Sequence, residues 1–437
     1  MGGALVQLIA YGSQDIILTT EPEITFFKAV FKRSTHFAIE SIEQLVEGNI
    51  NFGGNVTLVV ARNGDLLGSI FMETSLPPNP QDFVSNLDTS GHCGYIQGVG
   101  NYLINNVSIE IGGSNIDTHY GKWMDIWSEL SLQESQLKGY GYMVGKDYTQ
   151  PAWKPYNIDS QPGGRVYVPL QFWFCRNPGL AIPLVALQYH ELRLRIQFEK
   201  FENLLTCVNR NGVYYRPVVN GSPCIDKRNF KIWNTYYFLD TTERRKFSQN
   251  PHEYLITQVQ SQVGNVSSIV GENNIRINLN HPTKEFIFVF NRNNSNAPMN
   301  DFSMGINTIP TGIDSAWAPV YNCKLIIQGT DRFKERRGEF FRLVQPYEHH
   351  TRIPVNNYIH VYSFSLRPEE HQPSGTCNFS RIDSAQLWFN LRSSDVAQGD
   401  LPTPTEPYGI IPSYTFYAPC YNVLRIMGGM GGLSYSN

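Results

Sequence analysis

Hydrophobic and polar residues alternate with a period of two along much of the chain. The alternation is clearest at residues 107–111 and 192–198 in the first half, and at 275–279 and 286–290 in the second. A period of two is typical of strands with one buried side and one side facing solvent. Many such strands, separated by turns rich in glycine and proline and by only short helices, predict an all-β protein made of antiparallel sandwiches.

Two segments, residues 172–198 and 362–389, read as degenerate copies of one another. In each, an aromatic strand runs into an arginine and a proline, a second proline follows five residues later, and another strand closes the segment. Three pairs superpose at one offset of 190 residues: Pro178 on Pro368, Pro183 on Pro373 and Tyr189 on Phe379. Because proline cannot donate a ladder hydrogen bond, the prolines indicate a rigid crossing between two strands.

A second pair of similar segments lies upstream of the first pair, where a strand ends in glycine and leads into a short helix. Gly113 corresponds to Gly329 and, after a slip of one residue, Gly121 to Gly338 and Trp123 to Phe340. Both similarities occur in the same order, at offsets of about 190 to 217 residues, which predicts one duplicated domain. We therefore expect residues 27–210 and 225–437 to form the same sandwich, with Gly113 and Gly329 in equivalent turns.

The pattern predicts four parts: an N-terminal tail with the start of a capped helix (1–26), a first sandwich (27–212), a linker (213–224) and a second sandwich (225–437). Thr20 and Glu23 are spaced as a capping box, so a helix is predicted to begin there. Ile24, Phe27 and Phe31 would line one face of that helix. Long connections, which commonly carry function, are expected at 77–102, 133–163, 200–228, 293–321 and 391–413.

Composition narrows the class of protein. A chain of 437 residues with 41% hydrophobic residues is long enough for two cores. The net charge is −3 and no long run of lysine or arginine occurs, so direct binding to nucleic acid is not expected. The seven cysteines are dispersed without a close pair, which indicates reduced thiols and a cytosolic folding compartment. No secretion signal and no apolar run of membrane-spanning length is present.

Motifs for catalysis and for cofactors are weak. Gly145-Lys146 is followed by Asp147, so a phosphate-binding loop is not supported, and the histidines lack the spacing of a zinc-binding helix. No catalytic, cofactor-binding or metal-binding residues are predicted, and no cofactor is expected. A glycosidase with two carboxylates stays open as an alternative, because carboxylate pairs cannot be recognised from one sequence.

Several asparagines match the acceptor pattern for N-linked glycans. The candidate glycosylation residues are Asn55, Asn106, Asn265 and Asn293. A chain without a secretion signal does not meet the host glycosylation machinery, so each match carries little weight by itself.

Long stretches of the chain nevertheless resemble one known family. They are the opening QLIAYGSQDIILT…EPEITFFKAVFKRSTHFAIES, the runs LDTTERRKFSQNPHEYLI, NHPTK and RPEEHQPSGTCNFSRID, and the end YNVLRIMGGMGGLSYSN. These stretches closely resemble the major capsid proteins of large icosahedral double-stranded DNA viruses, with the algal and chlorella viruses most similar. The resemblance covers both termini and both halves.

The resemblance implies an all-β fold of two tandem eight-stranded antiparallel jelly rolls with short helices in the connections. It also implies a structural protein of the virion, made and assembled in the host cytoplasm, that forms homotrimeric, pseudo-hexagonal capsomers. The implied partners are neighbouring capsomers, minor capsid proteins and an internal membrane on the inner face, and a host cell surface through outer loops. Two alternatives stay open: a glycan-binding or glycan-cleaving protein with two jelly rolls, and a minor capsid paralogue.

Overall fold

The fold is that of a computed structural model. The residues it describes are 3–88, 91–150, 154–158, 164–209, 215–266, 271–291, 299–300, 302, 320–354, 358–391 and 413–435. The chain divides into a small unit, Met1–His36, and a large unit, Phe37–Asn437.

The small unit holds two short helices, α1 (Gly3–Ile9) and α2 (Ser13–Thr19). The predicted helix starting at Thr20 is wrong, because Thr20 is the extended residue that ends α2. Glu21 has a φ of 51°, which is incompatible with the first turn of a right-handed helix. The carboxylate that acts in capping is that of Asp15, which accepts a hydrogen bond from the Gly12 N–H at 2.8 Å. Residues 20–36, all of them described, contain no helix.

The large unit begins with the strands of the first half. They are β1 (Phe37–Gln44), β2 (Glu47–Gly48), β3 (Asn55–Val59), β4 (Leu66–Ser75), β5 (His92–Tyr95), β6 (Ile104–Ile111), β7 (Ser114–Tyr120), β8 (Arg165–Pro169), β9 (Ile182–Pro183), β10 (Leu192–Phe198), β11 (Leu205–Val208) and β12 (Lys231–Leu239). Its helices are α3 (Val99–Leu103), α4 (Gly121–Ser131), α5 (Glu134–Val144) and α6 (Trp173–Arg176).

The second half follows the helix α7 (Thr241–Gln249). Its strands are β13 (His252–Asn265), β14 (Gly271–Arg276), β15 (Pro282–Thr283), β16 (Glu285–Asn291), β17 (Val320–Ile327), β18 (Thr330–Asp331), β19 (Arg336–Arg337), β20 (His360–Ser363), β21 (Cys377–Asn378), β22 (Ala385–Leu391), β23 (Ser413–Met427) and β24 (Met430–Leu433). A π-helical turn, Phe340–Val344, continues into α8 (Gln345–His349).

The two halves share one antiparallel topology. In the first, the main strands form the sheets β1–β12–β4–β8 and β3–β10–β6–β7. In the second, they form β13–β23–β16–β20 and β14–β22–β17–β18. Each half thus has eight main strands, which lie in the order 1-8-3-6 in one sheet and 2-7-4-5 in the other. This is the double jelly roll, and it confirms the predicted fold class and the duplication.

The last main strand of the first jelly roll is β12, because it pairs with β1 on one side and with β4 on the other. The predicted linker at 213–224 precedes this strand. A boundary at 225 would assign β12 to the second sandwich, although the strands with which it pairs belong to the first. The signal that misled the prediction is the polar, proline-containing stretch before β12, which is a connection within the first jelly roll.

The predicted equivalence of Gly113 and Gly329 is confirmed. Both close two-residue hairpins, Gly113 between β6 and β7 and Gly329 between β17 and β18. In each turn both central residues have positive φ: 57° and 84° at Gly112 and Gly113, 48° and 76° at Gln328 and Gly329. Such turns match the right-handed twist of the strands that they join.

The period-two prediction fails at residues 286–290. Phe286, Phe288 and Phe290 point into the core of the second jelly roll, as predicted. Ile287 and Val289, on the opposite side of β16, are also fully buried, in a cluster continuous with the core of the first jelly roll. An uninterrupted apolar run is typical of a strand covered on both faces.

Two of the seven cysteines are not reduced thiols. Cys93 and Cys207 lie directly opposite each other in the pair β5–β11 and form a disulfide. They are 114 residues apart in sequence, so their spacing gave no sign of a pair. The other five cysteines are free thiols.

Candidate functional site

A buried contact joins the two jelly rolls, and α4 contributes to it. This helix follows β7 and covers the outer face of the sheet β13–β23–β16–β20. The buried Trp123 ring lies 5.3 Å from the ring of Tyr417 on β23. The Lys122 Nζ donates hydrogen bonds to Asn291 Oδ1 at 2.8 Å and to Thr415 Oγ1 at 3.4 Å.

Glycine allows α4 to start where it does. A Cβ added at Gly121 would lie 2.4 Å from the carbonyl oxygens of both Asn101 and Ile104, closer than atoms can approach. The helix therefore packs against the backbone of α3 and β6 only because position 121 has no side chain.

The edges of the two jelly rolls also meet. The Val259 N–H on β13 donates to Asp117 Oδ1 on β7 at 3.1 Å. The Gln258 side chain on β13 donates to the carbonyl oxygen of Ile116. The first main strand of the second jelly roll is thus held against the fifth main strand of the first.

A buried ion network crosses the same contact. The Lys146 Nζ lies 2.6 Å from Asp125 Oδ1 and 2.7 Å from Glu129 Oε1, and Arg352 from the second half lies 2.7 Å from Glu129 Oε2. Burial opposes the charge of Lys146, but the two carboxylates outweigh it and raise the pKa of that amine. Two positive and two negative groups are paired in the buried part of the network, and the exposed Glu134 also lies 3.8 Å from Arg352. The network therefore links the first jelly roll to Arg352 of the second half.

A second polar cluster surrounds His350. The ring lies between Glu285, 2.8 Å from Nε2, and Glu369, 2.8 Å from Nδ1, and its side chain is fully buried. Burial disfavours protonation, but the charge of Glu285 and the hydrogen bonds to both carboxylates raise the pKa of His350 to about 9. The histidine is therefore charged at neutral pH.

The sequence did not reveal these clusters. The doublet His349-His350 was visible, but nothing in the sequence marks His350 as a cluster residue, because its partners Glu369 and Glu285 lie 19 and 65 positions away. The glycan-enzyme alternative requires a polar cluster between the domains. The structure has such a network, at Asp125, Glu129, Lys146 and Arg352, but its groups are paired with one another.

The candidate glycosylation residues are scattered over the fold. Asn55 is exposed at the start of β3, and Asn265 is exposed at the end of β13. Asn106 is half-buried in β6, where its amide donates to Gln197 at 2.8 Å. Asn293 lies outside the described residues.

Among the described residues no cluster of His, Cys, Asp and Glu has the arrangement of a metal site. Within the same residues, none of the helices has both the length and the apolar character needed to cross a membrane.

The two tandem jelly rolls place the chain in the class of double jelly-roll β-proteins, and comparison with known proteins gives the family. Residues 25–240 match the family model described as major capsid protein N-terminus. Residues 243–432 match the model described as large eukaryotic DNA virus major capsid protein. The chain belongs to this family of major capsid proteins of large eukaryotic DNA viruses.

Relatives match over their whole length. The major capsid proteins of Phaeocystis pouchetii virus and of Paramecium bursaria Chlorella virus 1 are each 38% identical to the chain, with all of both chains covered. A quasi-atomic model of the PBCV-1 virus capsid superposes with a TM-score of 0.73 at 34% identity, covering 94% of this chain and 100% of that one. The chain is therefore a structural capsid protein of the virion, as the sequence predicted.

Proposed function

We propose that three copies of this chain form a pseudo-hexagonal homotrimeric capsomer and that these capsomers tile an icosahedral shell. The observation that carries the proposal is the repeated topology, because one chain presents two sandwiches with the same strand order. Three such chains supply six similar lobes, which fit a hexagonal lattice with only threefold exact symmetry. Support also comes from the PBCV-1 capsid, to whose solved structure the chain is similar.

The remaining roles belong to the same proposal. We place minor capsid proteins and an internal membrane on the inner face of the shell, a host cell surface at the outer loops, and assembly in the host cytoplasm. We propose no enzymatic activity, because the charged groups of each buried cluster described above are paired within that cluster. We also propose that the first jelly roll ends after Leu239, since β12 completes its sheet.

If the chain carries glycans, exposure favours Asn55 and Asn265 over Asn106. The Asn106 amide is already hydrogen-bonded to two side chains, those of Gln197 and Asn105. Attachment of a sugar there would break these bonds, whereas the other two side chains are exposed. Intact-glycopeptide mass spectrometry of protein from virions tests this order.

Electron microscopy of the purified protein tests the capsomer directly. Two-dimensional class averages should show a particle with a hexagonal outline, six lobes and threefold symmetry. Averages with only two lobes would contradict the proposal. Quantification of peptides from purified virions separates the major protein from a minor paralogue, because the major protein should be the most abundant chain of the shell.

A further inference from the structure

The two jelly rolls differ in how the outer face of their 1-8-3-6 sheets is covered. This face is covered in the second jelly roll and open in the first. In the second jelly roll, Ile287, Val289 and Tyr417 on that face are almost fully buried. Part of the cover is α4 of the first jelly roll, whose Trp123 contacts Tyr417. Within one chain, therefore, the helix after a fifth main strand covers the outer face of the other jelly roll's sheet.

The equivalent face of the first jelly roll is the outer side of β1–β12–β4–β8. The register aligns Ile39 with Tyr237 and Trp233 with Phe71 across this face. Ile39 is 58% exposed and Phe37 on the same strand is 50% exposed. The three aromatic residues are half-buried, in contrast to the fully buried side chains of the equivalent face.

The equivalent helix of the second jelly roll, residues 338–349, comprises the π-helical turn and α8 and has an exposed apolar side. It begins at Gly338, where an added Cβ would lie 2.0 Å from the carbonyl oxygen of Val320, so its start repeats the close approach seen at Gly121. Trp127 and Leu130 of α4 correspond to Val344 and Tyr347, 217 residues further along the chain. Trp127 and Leu130 are buried, whereas Val344 is 40% exposed and Tyr347 is 76% exposed.

We propose that the outer face of the β1–β12–β4–β8 sheet binds the helix Gly338–His349 of a second copy of this chain. The contact would repeat, between chains, the packing that α4 makes within one chain. This inference rests on the proposed homotrimer and identifies the surfaces that join its subunits. Three such contacts close a ring, because each copy supplies both surfaces.

Site-specific photo-cross-linking tests the contact. We would place benzoylphenylalanine at position 347 and mix labelled with unlabelled chains, so that isotope pairs distinguish contacts between copies from contacts within one. Cross-links between copies should map to residues 37–44, 66–75 or 231–239. The same probe at Tyr189, which is also 76% exposed, is the matched control and should not cross-link to these strands.

Each outcome has a separate meaning. Trimers whose cross-links from position 347 map elsewhere would overturn the proposed contact and leave the capsomer intact. A sample that contains only monomers would overturn the capsomer and the contact together. In a second test, Tyr347→Glu should weaken trimer formation at least tenfold without lowering Tm, whereas Tyr189→Glu should leave assembly unchanged. An unchanged trimer in Tyr347→Glu would contradict the inference.

Discussion

Glycine residues at two equivalent positions decide where helices pack against the strands. Gly121 and Gly338 both lie at carbonyl oxygens with no room for a Cβ, although a slip of one residue separates them in the alignment of the two halves. The sequence revealed this equivalence because both positions require a residue without a side chain and are therefore glycine. The reason for each glycine, a backbone oxygen from a distant strand or helix, became apparent only in the structure.

We predict that Gly121→Ala destabilises the protein by several kcal/mol, because the new methyl group would displace the backbone of α3 or β6. Gly139 in α5 is the matched control, since an added Cβ there meets no atom within 4 Å. Gly139→Ala should be neutral or stabilising by up to about 1 kcal/mol. Urea denaturation measures both, and equal effects of the two substitutions would contradict the packing argument.

His350 should make stability depend on pH. Its pKa is about 9 in the folded protein, above the usual 6.5, so its stabilising effect is complete below pH 6.5 and is lost as the pH rises through 9. The shift corresponds to roughly 3 kcal/mol. We predict that His350→Gln lowers Tm strongly at pH 6.5 and much less at pH 9.5.

The neighbouring His349 provides the control for this prediction. Its Nδ1 donates a hydrogen bond to the carbonyl oxygen of Leu366 at 3.1 Å, and its Nε2 lies 3.8 Å from the carboxylate of the exposed Glu348. His349→Gln should change Tm little and by a similar amount at both pH values. A Tm difference for His350→Gln that is the same at pH 6.5 and 9.5 would show that the cluster does not hold a proton.

Strands were predicted best where one side faces water. Residues 107–111 and 192–198 alternate because Ser108 and Arg195, among others, point away from the core. Prediction failed for β16, which is covered on both sides, and for the start of the N-terminal helix, where the positive φ of Glu21 overrides the capping pattern. It also missed the pair β5–β11, because nothing in sequence links strands so far apart.

The salt bridge between Arg352 and Glu129 joins α4 to the second jelly roll. Arg352→Met would leave two carboxylates facing only Lys146, which should cost about 3–5 kcal/mol in the free energy of unfolding. Adding Glu129→Gln removes the excess negative charge, so the double variant should be more stable than Arg352→Met alone. Urea denaturation of the four proteins completes the cycle, and additive effects would contradict the network.

The small N-terminal unit exposes large apolar side chains. Ile24, Phe26 and Phe27 are each more than 70% exposed, which is costly in water unless a partner covers them. We predict that removal of residues 1–26 leaves folded trimers, because the jelly rolls lie in the separate large unit. The truncated protein should fail to enter shells when it replaces the full chain in infected cells. Particles built normally from it would contradict this role.

The sequence predicted the whole molecule more accurately than its parts. The duplication was visible in a few glycines, prolines and aromatic residues, and the topology confirms it. The end of the first jelly roll was misplaced because the stretch at 213–224 has the composition of a linker, while the pairing of β12 with β1 and β4 depends on strands more than 150 residues away. The contact between Arg352 and Glu129 could not be predicted for the same reason, since 223 residues separate them.

The mass of the purified protein at nanomolar concentration tests the capsomer most directly. Obligate interfaces usually bury on the order of 2,000–5,000 Å², enough to keep subunits together on dilution. One chain has a mass of 49.7 kDa, so mass photometry should show one dominant species of about 149 kDa, three times that value. A dominant species of one chain mass would contradict the homotrimer.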